Sequence, residues 1–133
     1  MPETTELVTA AIIERDGRVL LGRRSPTSKL AGGWEFPGGK VQANETPEQG
    51  LVRELEEELK ITVEITGLFL ETEHRYEHGF FRIIAFRTDW ISGELNPQVH
   101  DRLEWVKVEE IDEYPLLAAD IPIGKALQSA PTN

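Results

Sequence analysis

The sequence of 133 residues predicts an α+β domain, or the related layered arrangement in which helices cover both faces of a sheet (αβα layers). Three observations support this fold class. Runs rich in β-branched residues lie before and after one long helical pattern, a second helical pattern lies near the C-terminus, and the length suits one compact core. No internal repeat, low-complexity segment or linker interrupts the chain. We therefore expect a single domain over residues 1–133, with its core at about residues 7–128.

The first predicted element is a β-hairpin. Leu7–Ile13 and Val19–Leu21 are β-rich runs, and the Asp16-Gly17 pair between them favours a tight two-residue turn. The other predicted strands are Thr62–Tyr76 and Phe80–Thr88, which flank a turn, and then Leu103–Val108. The last predicted element is helical and spans Ala118–Ser129.

The central helix is predicted at about residues 47–60. Thr46 suits the N-cap, Pro47 the first helical position, and Gln49 the third position of a capping box. An apolar stripe at helical spacing is formed by Leu51, Val52, Leu55 and Leu59. This stripe predicts the helix face that packs on the sheet.

Composition excludes several classes of protein. Twenty-four acidic against fourteen basic residues give a formal net charge of −10, so broad electrostatic binding to nucleic acid or anionic lipid is not expected. The sequence contains no cysteine, which excludes disulfide frameworks and thiolate zinc sites and fits a reducing compartment. No apolar run approaches the roughly 20 residues that span a bilayer, and the N-terminus does not resemble a secretion signal. We expect a cytoplasmic protein without membrane or nucleic-acid partners, present as a monomer or homodimer.

The acidic residues of the central helix are concentrated. Glu54, Glu57 and Glu58 recur at i, i+3 and i+4 and therefore share one helix face, whereas Glu56 points to solvent. A hard cation such as Mg²⁺ takes oxygen ligands and would relieve the repulsion between these carboxylates. Arg53 precedes Glu57 by four residues and is placed to orient it. The alternative interpretation is a solvated helix laced with charges.

Two features favour the metal site. The glycine-containing turn Phe36–Lys40 precedes the helix, and glycine lets the backbone approach a metal or phosphate closely. The spacing also resembles the Nudix box G-x5-E-x7-R-E-U-x-E-E-x-G-U, in which U is aliphatic. The matching residues are Gly39, Glu45, Arg53, Glu54, Leu55, Glu57, Glu58 and Ile61. Lys60 stands where the family usually has glycine, so the way in which the helix ends is left open.

Segments outside the box resemble the MutT branch of this family, which includes 8-oxo-dGTP diphosphatases and CTP pyrophosphohydrolases. These segments are Val8–Ile13, Val19–Arg24, Trp34–Lys40, Leu103–Val106, Tyr114–Leu116 and Ala119–Pro122. The resemblance implies the Nudix fold, a mixed β-sheet sandwiched between helices. It also implies hydrolysis of a (d)NTP to (d)NMP and pyrophosphate with Mg²⁺, for which Mn²⁺ can substitute. The implied metal ligands are Glu54, Glu57, Glu58 and the Gly38 carbonyl. Glu54 is the first candidate for the base that activates water, Arg53 orients the glutamates, and Glu45 supports the loop.

The same resemblance places the substrate. Arg24 matches a phosphate-binding arginine, and Glu35, Phe36 and Lys40 are assigned to substrate binding, although a lysine at position 40 is equally compatible with simple exposure. Asp120 falls where the founding enzyme of the branch reads the base with an asparagine, and its carboxylate can accept from an exocyclic amine such as that of cytosine. An N-cap for the last helix is an equal alternative for Asp120. Further aromatic residues that could stack on a base are Tyr76, Phe80 and Phe81.

One departure from the branch concerns an additional metal-binding glutamate in the loop before the Leu103 strand. Val99 occupies that position, and Asp101 is a possible substitute. The three histidines, His74, His78 and His100, are too scattered to indicate zinc and are interpreted as structural. Alternative functions are hydrolysis of ADP-ribose or another nucleotide sugar, a nucleotide-sensing domain without catalysis, and an acidic structural protein.

Overall fold

The structure is a computed structural model that describes residues 4–27, 30–77 and 79–130. Its centre is the long strand β1 (Thr4–Arg15), which runs parallel to β6 (Gly79–Ser92). Strand β5 (Thr62–Tyr76) pairs antiparallel with β6. The sheet is therefore mixed, as expected from the family resemblance.

The remaining strands of the described chain are the one that completes the β-hairpin with β1 and three that pair with this hairpin. Strand β2 (Arg18–Arg24) follows β1 through Asp16 and Gly17, whose φ angles of 53° and 76° are those of the predicted two-residue turn. Two short strands, β3 (Trp34–Glu35) and β4 (Gly38–Lys40), pair antiparallel with β2 and β1, respectively. Strand β7 (His100–Lys107) pairs antiparallel with β2 along most of its length.

The helix α1 (Pro47–Leu59) confirms the predicted central helix. The side chain of Thr46 accepts from the Gln49 amide at 3.1 Å, and the Gln49 side chain accepts from the Thr46 amide at 2.9 Å, which completes the capping box. Two 3-10 segments follow β7 at Val108–Glu113 and Ala118–Asp120, and α2 (Ile121–Ser129) ends the described chain.

The helix end that the sequence left open is closed by Lys60. Its φ of 62° and ψ of 33° lie in the left-handed region, and its amide donates to the Glu56 carbonyl at 3.1 Å. Lysine thus adopts the conformation for which glycine is usually selected, at a steric cost that glycine would avoid.

The two faces of β1 contribute to two separate hydrophobic clusters. Ala11 and Ile13 pack with the buried leucines of α1, whereas Ala10 and Ile12 pack with α2 and the 3-10 segments. Alternating side chains of a strand point to opposite faces, so the sheet lies between α1 on one side and α2 on the other. This arrangement confirms the α+β class and the mixed sheet between helices.

The boundaries of several elements differ from the sequence prediction. Strand β6 extends to Ser92, β7 begins at His100 rather than Leu103, and the predicted C-terminal helix divides into a 3-10 turn and α2. The two-residue and three-residue strands β3 and β4 carry too few residues for periodicity to reveal them. Among the described residues, no helix has the length and apolar character to cross a membrane.

Candidate active site

Two of the helix carboxylates converge. Glu54 and Glu58 occupy successive turns of α1, and Glu54 also lies against β4: a Cβ atom on Gly39 would stand 2.5 Å from the Glu54 carboxyl carbon. Burial raises the pKa of Glu58 to about 9, with a hydrogen bond and the negative charge of Glu54 adding to the effect. Two such neighbouring carboxylates offer oxygen ligands of the kind that a hard divalent cation prefers.

Glu57 lies apart from this pair. Its side chain is 60% exposed, and its carboxylate accepts from the Arg53 guanidinium at 3.0 Å. The predicted orienting contact from Arg53 is therefore confirmed. Within residues 4–27, 30–77 and 79–130, no three acidic or histidine side chains are close enough to form a ready metal cage. The helix places Glu57 on the expected face, and the ion pair turns its carboxylate toward Arg53.

Arg53 is the centre of a hydrogen-bonded network. Its Nε and Nη2 atoms donate to the Glu45 carboxylate, at 3.0 and 2.8 Å for the closest contacts, and Nη2 also donates to the Lys40 carbonyl at 3.0 Å. Its Nη1 atom donates to Glu54 and Glu57, both at 3.0 Å. One guanidinium thus connects the loop, β4 and two helix carboxylates, which uses the fork geometry that lysine lacks.

Glu45 has the loop-supporting place expected of it. Besides Arg53, it accepts from the Gln42 amide at 2.8 Å. The hydrogen bonds from Arg53 hold the pKa of Glu45 below its usual value. Gly50 leaves room for this carboxylate, since a Cβ atom there would lie 3.0 Å from Glu45 Oε1. The loop before α1 is therefore fixed by side-chain contacts rather than by regular secondary structure.

The glycine turn is held tightly against β1. A Cβ atom on Gly38 would lie 2.0 Å from the Thr9 carbonyl oxygen, so only glycine fits. Next to it, the Pro37 carbonyl accepts from the Ala11 amide at 2.7 Å. Lys40 is largely exposed and donates to Glu6 at 3.2 Å. The backbone of the turn is thus rigidly placed beside Glu54, whereas Lys40 lies at the rim.

A cavity of about 470 Å³ adjoins this turn. Phe36, Phe81 and Leu117 contribute apolar walls, and Asp120 and His74 contribute polar groups. Gly38 and Gly39 line the same cavity, and Gly39 also lies against Glu54, so the turn is shared by the cavity and the carboxylate helix. Its volume and mixed lining are typical of a small-molecule site.

Asp120 faces the cavity and does not cap α2. It occupies the position before the helix, but its side chain makes no capping hydrogen bond. Its Oδ2 atom instead accepts from the Phe36 amide at 2.8 Å. The capping interpretation is therefore wrong. Burial raises the pKa of Asp120 to about 7, even though the Phe36 amide favours the charged form.

The two arginines of β2 point to opposite faces of the sheet. Arg24 lines the cavity and donates to the half-buried Glu35 at 3.3 Å. Arg23 binds Asp101 through two hydrogen bonds of 2.8 and 3.2 Å, and this pairing holds the pKa of Asp101 below its usual value. The Asp101 carboxylate is thus engaged by Arg23, and in the described structure it makes no contact with the glutamates of α1.

The sequence interpretation missed His100. Its side chain is fully buried, and its Nε2 atom lies 2.8 Å from Glu35 Oε2. Sequence offers no signal for this contact, because 65 residues separate the two groups. His74 lines the cavity, Phe80 instead packs under Arg75, and the side chain of Tyr76 and all of His78 lie outside the described residues.

Comparison with known proteins identifies the family. A family model described as NUDIX domain matches residues 4–127. The chain is 42% identical over 123 residues to a CTP pyrophosphohydrolase from Escherichia coli K12, covering 92% of this chain and 90% of that protein. It is 37% identical over 112 residues to an 8-oxo-dGTP diphosphatase from the same organism, covering 83% and 87%. The solution structure of the E. coli ORF135 protein superposes with a TM-score of 0.87 at 39% identity, covering 96% of this chain and 91% of that one.

Proposed function

The chain belongs to the Nudix hydrolase family, and on that premise we propose that it is a single-domain nucleoside triphosphate pyrophosphohydrolase. The proposed reaction converts a (d)NTP and water to (d)NMP and pyrophosphate. The observation that carries the proposal is the continuity between the 470 Å³ cavity and the glycine turn that adjoins Glu54. A base in the cavity would direct its phosphate chain toward the acidic face of α1.

The residues present fit a divalent cation. Glu54 and Glu58 are neighbouring carboxylates, and burial together with the charge of Glu54 raises the pKa of Glu58, so that a cation between them would stabilise the ionised pair. We assign them, with the Gly38 carbonyl, as the residues that would hold Mg²⁺ or Mn²⁺, and Glu57 would join them by turning its carboxylate away from Arg53. When bound, the ion supplies charge screening for the phosphates and a lowered pKa for a bound water.

The remaining roles belong to side chains of this protein. Glu54 is the proposed base for the attacking water, because it is a carboxylate fixed by Arg53 and packed on Gly39. Arg53 orients both Glu54 and Glu57. Arg24 is the proposed phosphate contact at the cavity, and Lys40 at the rim is placed for a weaker, solvent-screened one.

Asp120 is the proposed base-reading residue. It faces the cavity next to Phe36, which provides an apolar surface for a planar ring. An ionised Asp120 accepts from the exocyclic amine of cytosine, and a protonated one can also donate to a carbonyl such as that of 8-oxo-guanine. Because the pKa of Asp120 is about 7, its ionised and protonated forms are both populated near neutral pH. CTP, dCTP and 8-oxo-dGTP are therefore the substrates of first choice.

The test is a hydrolysis panel with Mg²⁺ over CTP, dCTP, 5-methyl-dCTP, dGTP and 8-oxo-dGTP, with ADP-ribose included. We expect turnover of at least one pyrimidine or oxidised purine triphosphate, with pyrophosphate as product. Turnover of ADP-ribose alone would replace the proposal by the nucleotide-sugar alternative. Nucleotide binding without any turnover would indicate a sensing domain instead.

A matched pair of variants tests the carboxylates. Glu58→Gln removes one charge of the converging pair and should lower kcat by at least about a hundredfold, or about 2.7 kcal/mol of barrier. Its fold should survive, because glutamine is similar in size to the protonated Glu58 side chain and is likewise uncharged. Glu56→Gln, on the exposed side of the same helix, is the control and should retain wild-type kcat. Equal kcat for both variants would exclude a catalytic role for the pair.

A further inference from the structure

His100 has the geometry of a positioning group rather than of a space-filling core residue. Its ring has no exposed surface, yet it directs Nε2 to within 2.8 Å of Glu35 Oε2. The other ring nitrogen, Nδ1, is buried and has no hydrogen-bond partner in the part of the chain that the structure describes. The hydrogen of the ring therefore belongs on Nε2, from which it donates to Glu35.

An irregularity in β7 places the ring there. Arg23 pairs with Arg102, but the next residue of β2, Arg24, pairs with His100, so Asp101 is an extra residue in β7. Such a bulge brings His100 onto the same face of the sheet as Leu103, whereas regular alternation would put the two on opposite faces. Bulges are known to redirect side chains in this way beside functional sites.

Gly22 makes room for the ring. A Cβ atom at position 22 would lie 2.6 Å from His100 Cδ2 and 2.7 Å from Cγ. The φ angle of Gly22 is not positive, so its backbone conformation does not require glycine. The close approach of the His100 ring explains why glycine occupies this position. Two separate features, the bulge and the missing Cβ, thus serve one contact.

Glu35 connects the two halves of the proposed site. It lines the cavity, accepts from Arg24 at 3.3 Å, and exerts its charge on both Glu58 and Asp120. A carboxylate in this position can rotate among several partners, and any rotation would move Arg24 as well. A donor fixed in the core limits Glu35 to one orientation.

We propose that His100 is a positioning residue that fixes the Glu35–Arg24 pair at the junction of the cavity and the carboxylate helix. The inference rests on the proposed function, because it assigns Arg24 and Glu35 to substrate binding. His100 contacts no substrate in this scheme. Its loss should therefore impair binding more than the chemical step.

Two substitutions at position 100 separate the hydrogen bond from the packing. His100→Phe keeps a planar ring but removes the donor, and it should raise KM by about tenfold while kcat changes by less than about threefold. His100→Gln returns an N–H group close to the Nε2 position and should restore KM to within about threefold of wild type. Gly22→Ala retains the histidine, but the added Cβ atom displaces its ring from Glu35. This variant should therefore raise KM as His100→Phe does.

A spectroscopic measurement is independent of turnover. In the metal-free protein, the Nε2 hydrogen of His100 should give a slowly exchanging resonance in ¹H–¹⁵N NMR spectra, and Glu35→Ala should abolish it. If the wild-type chain hydrolyses no nucleotide, the proposed function fails, and this resonance decides the His100–Glu35 contact alone. Absence of the resonance from the wild type would overturn the inference. A His100→Phe protein with lowered Tm but unchanged KM would also overturn it, because the role would then be structural only.

Discussion

Asp120→Asn should make the protein more stable at alkaline pH and leave its stability unchanged at acidic pH. Burial raises the pKa of Asp120 from 3.8 to about 7. An acid whose pKa is higher in the folded state loses its proton first in the unfolded chain. Between these two pH values the folded state therefore binds more protons, and the free energy of unfolding falls as pH rises. Above pH 7 the folded state bears the full free-energy cost of the buried Asp120 charge.

The magnitude follows from the shift. About three pKa units correspond to at most about 4 kcal/mol, and the partial solvent access of the side chain reduces the realised value to about 2 kcal/mol. Asparagine carries no charge at any pH, and its side-chain oxygen still accepts from the Phe36 amide. The free energy of unfolding of Asp120→Asn should consequently exceed that of wild type by about 2 kcal/mol at pH 8. This difference should decline toward zero near pH 4.

Urea unfolding of both proteins at several pH values measures this difference. Asp89→Asn, an exposed acid on β6, is the control and should show no pH-dependent gain. A gain for Asp120→Asn that is equal at pH 4 and pH 8 would refute the reasoning, as would a loss at pH 8. Either result would mean that the cavity solvates the Asp120 carboxylate.

Three other predictions concern α1 and its ligands. Lys60→Gly should raise the free energy of unfolding by about 1 kcal/mol in urea titrations, because it removes the steric cost of the left-handed φ of 62°, whereas Lys60→Ala should give no gain. Arg53→Lys should lower kcat by at least about tenfold in steady-state assays and lower Tm, because one ammonium cannot replace contacts to Glu45, Glu54, Glu57 and the Lys40 carbonyl; unaltered kcat would show that the network is not needed. Excess EDTA should abolish nucleotide hydrolysis, and Mg²⁺ or Mn²⁺ should restore it; full turnover in EDTA would exclude the metal-dependent scheme.

Local signals predicted the elements that depend on local interactions. The capping box, the proline at the first helical position and the leucine stripe fixed α1 to within one residue at its C-terminal end. The Asp16-Gly17 turn was equally readable, because its positive φ angles select these residue types. In both cases the information lies within a few positions of the chain.

The site itself depends on contacts that no local pattern encodes. The bond between Asp120 and the Phe36 amide spans 84 residues, and it decides against helix capping although the residue is suited to that role. The helical wheel placed Glu57 beside Glu54 and Glu58, and the spacing predicted its contact with Arg53, but neither showed that Glu57 would stay exposed and apart from the other two carboxylates. The bulge at Asp101, on which the position of His100 depends, is set by the pairing of β7 with β2.

The charges of the site also explain how an acidic chain can accept a polyanionic substrate. Glu35 and Glu54 lie close enough to Glu58 to act on its charge, and the pKa of Glu58 is raised because burial and these carboxylate neighbours oppose its ionisation. A triphosphate entering such a site without a cation would add to that repulsion. A divalent ion at the same carboxylates would reverse the sign of the local field, and the substrate and the ion would then favour each other's binding. The carboxylates that make the free site unfavourable are therefore the same groups that would make nucleotide affinity depend on the metal.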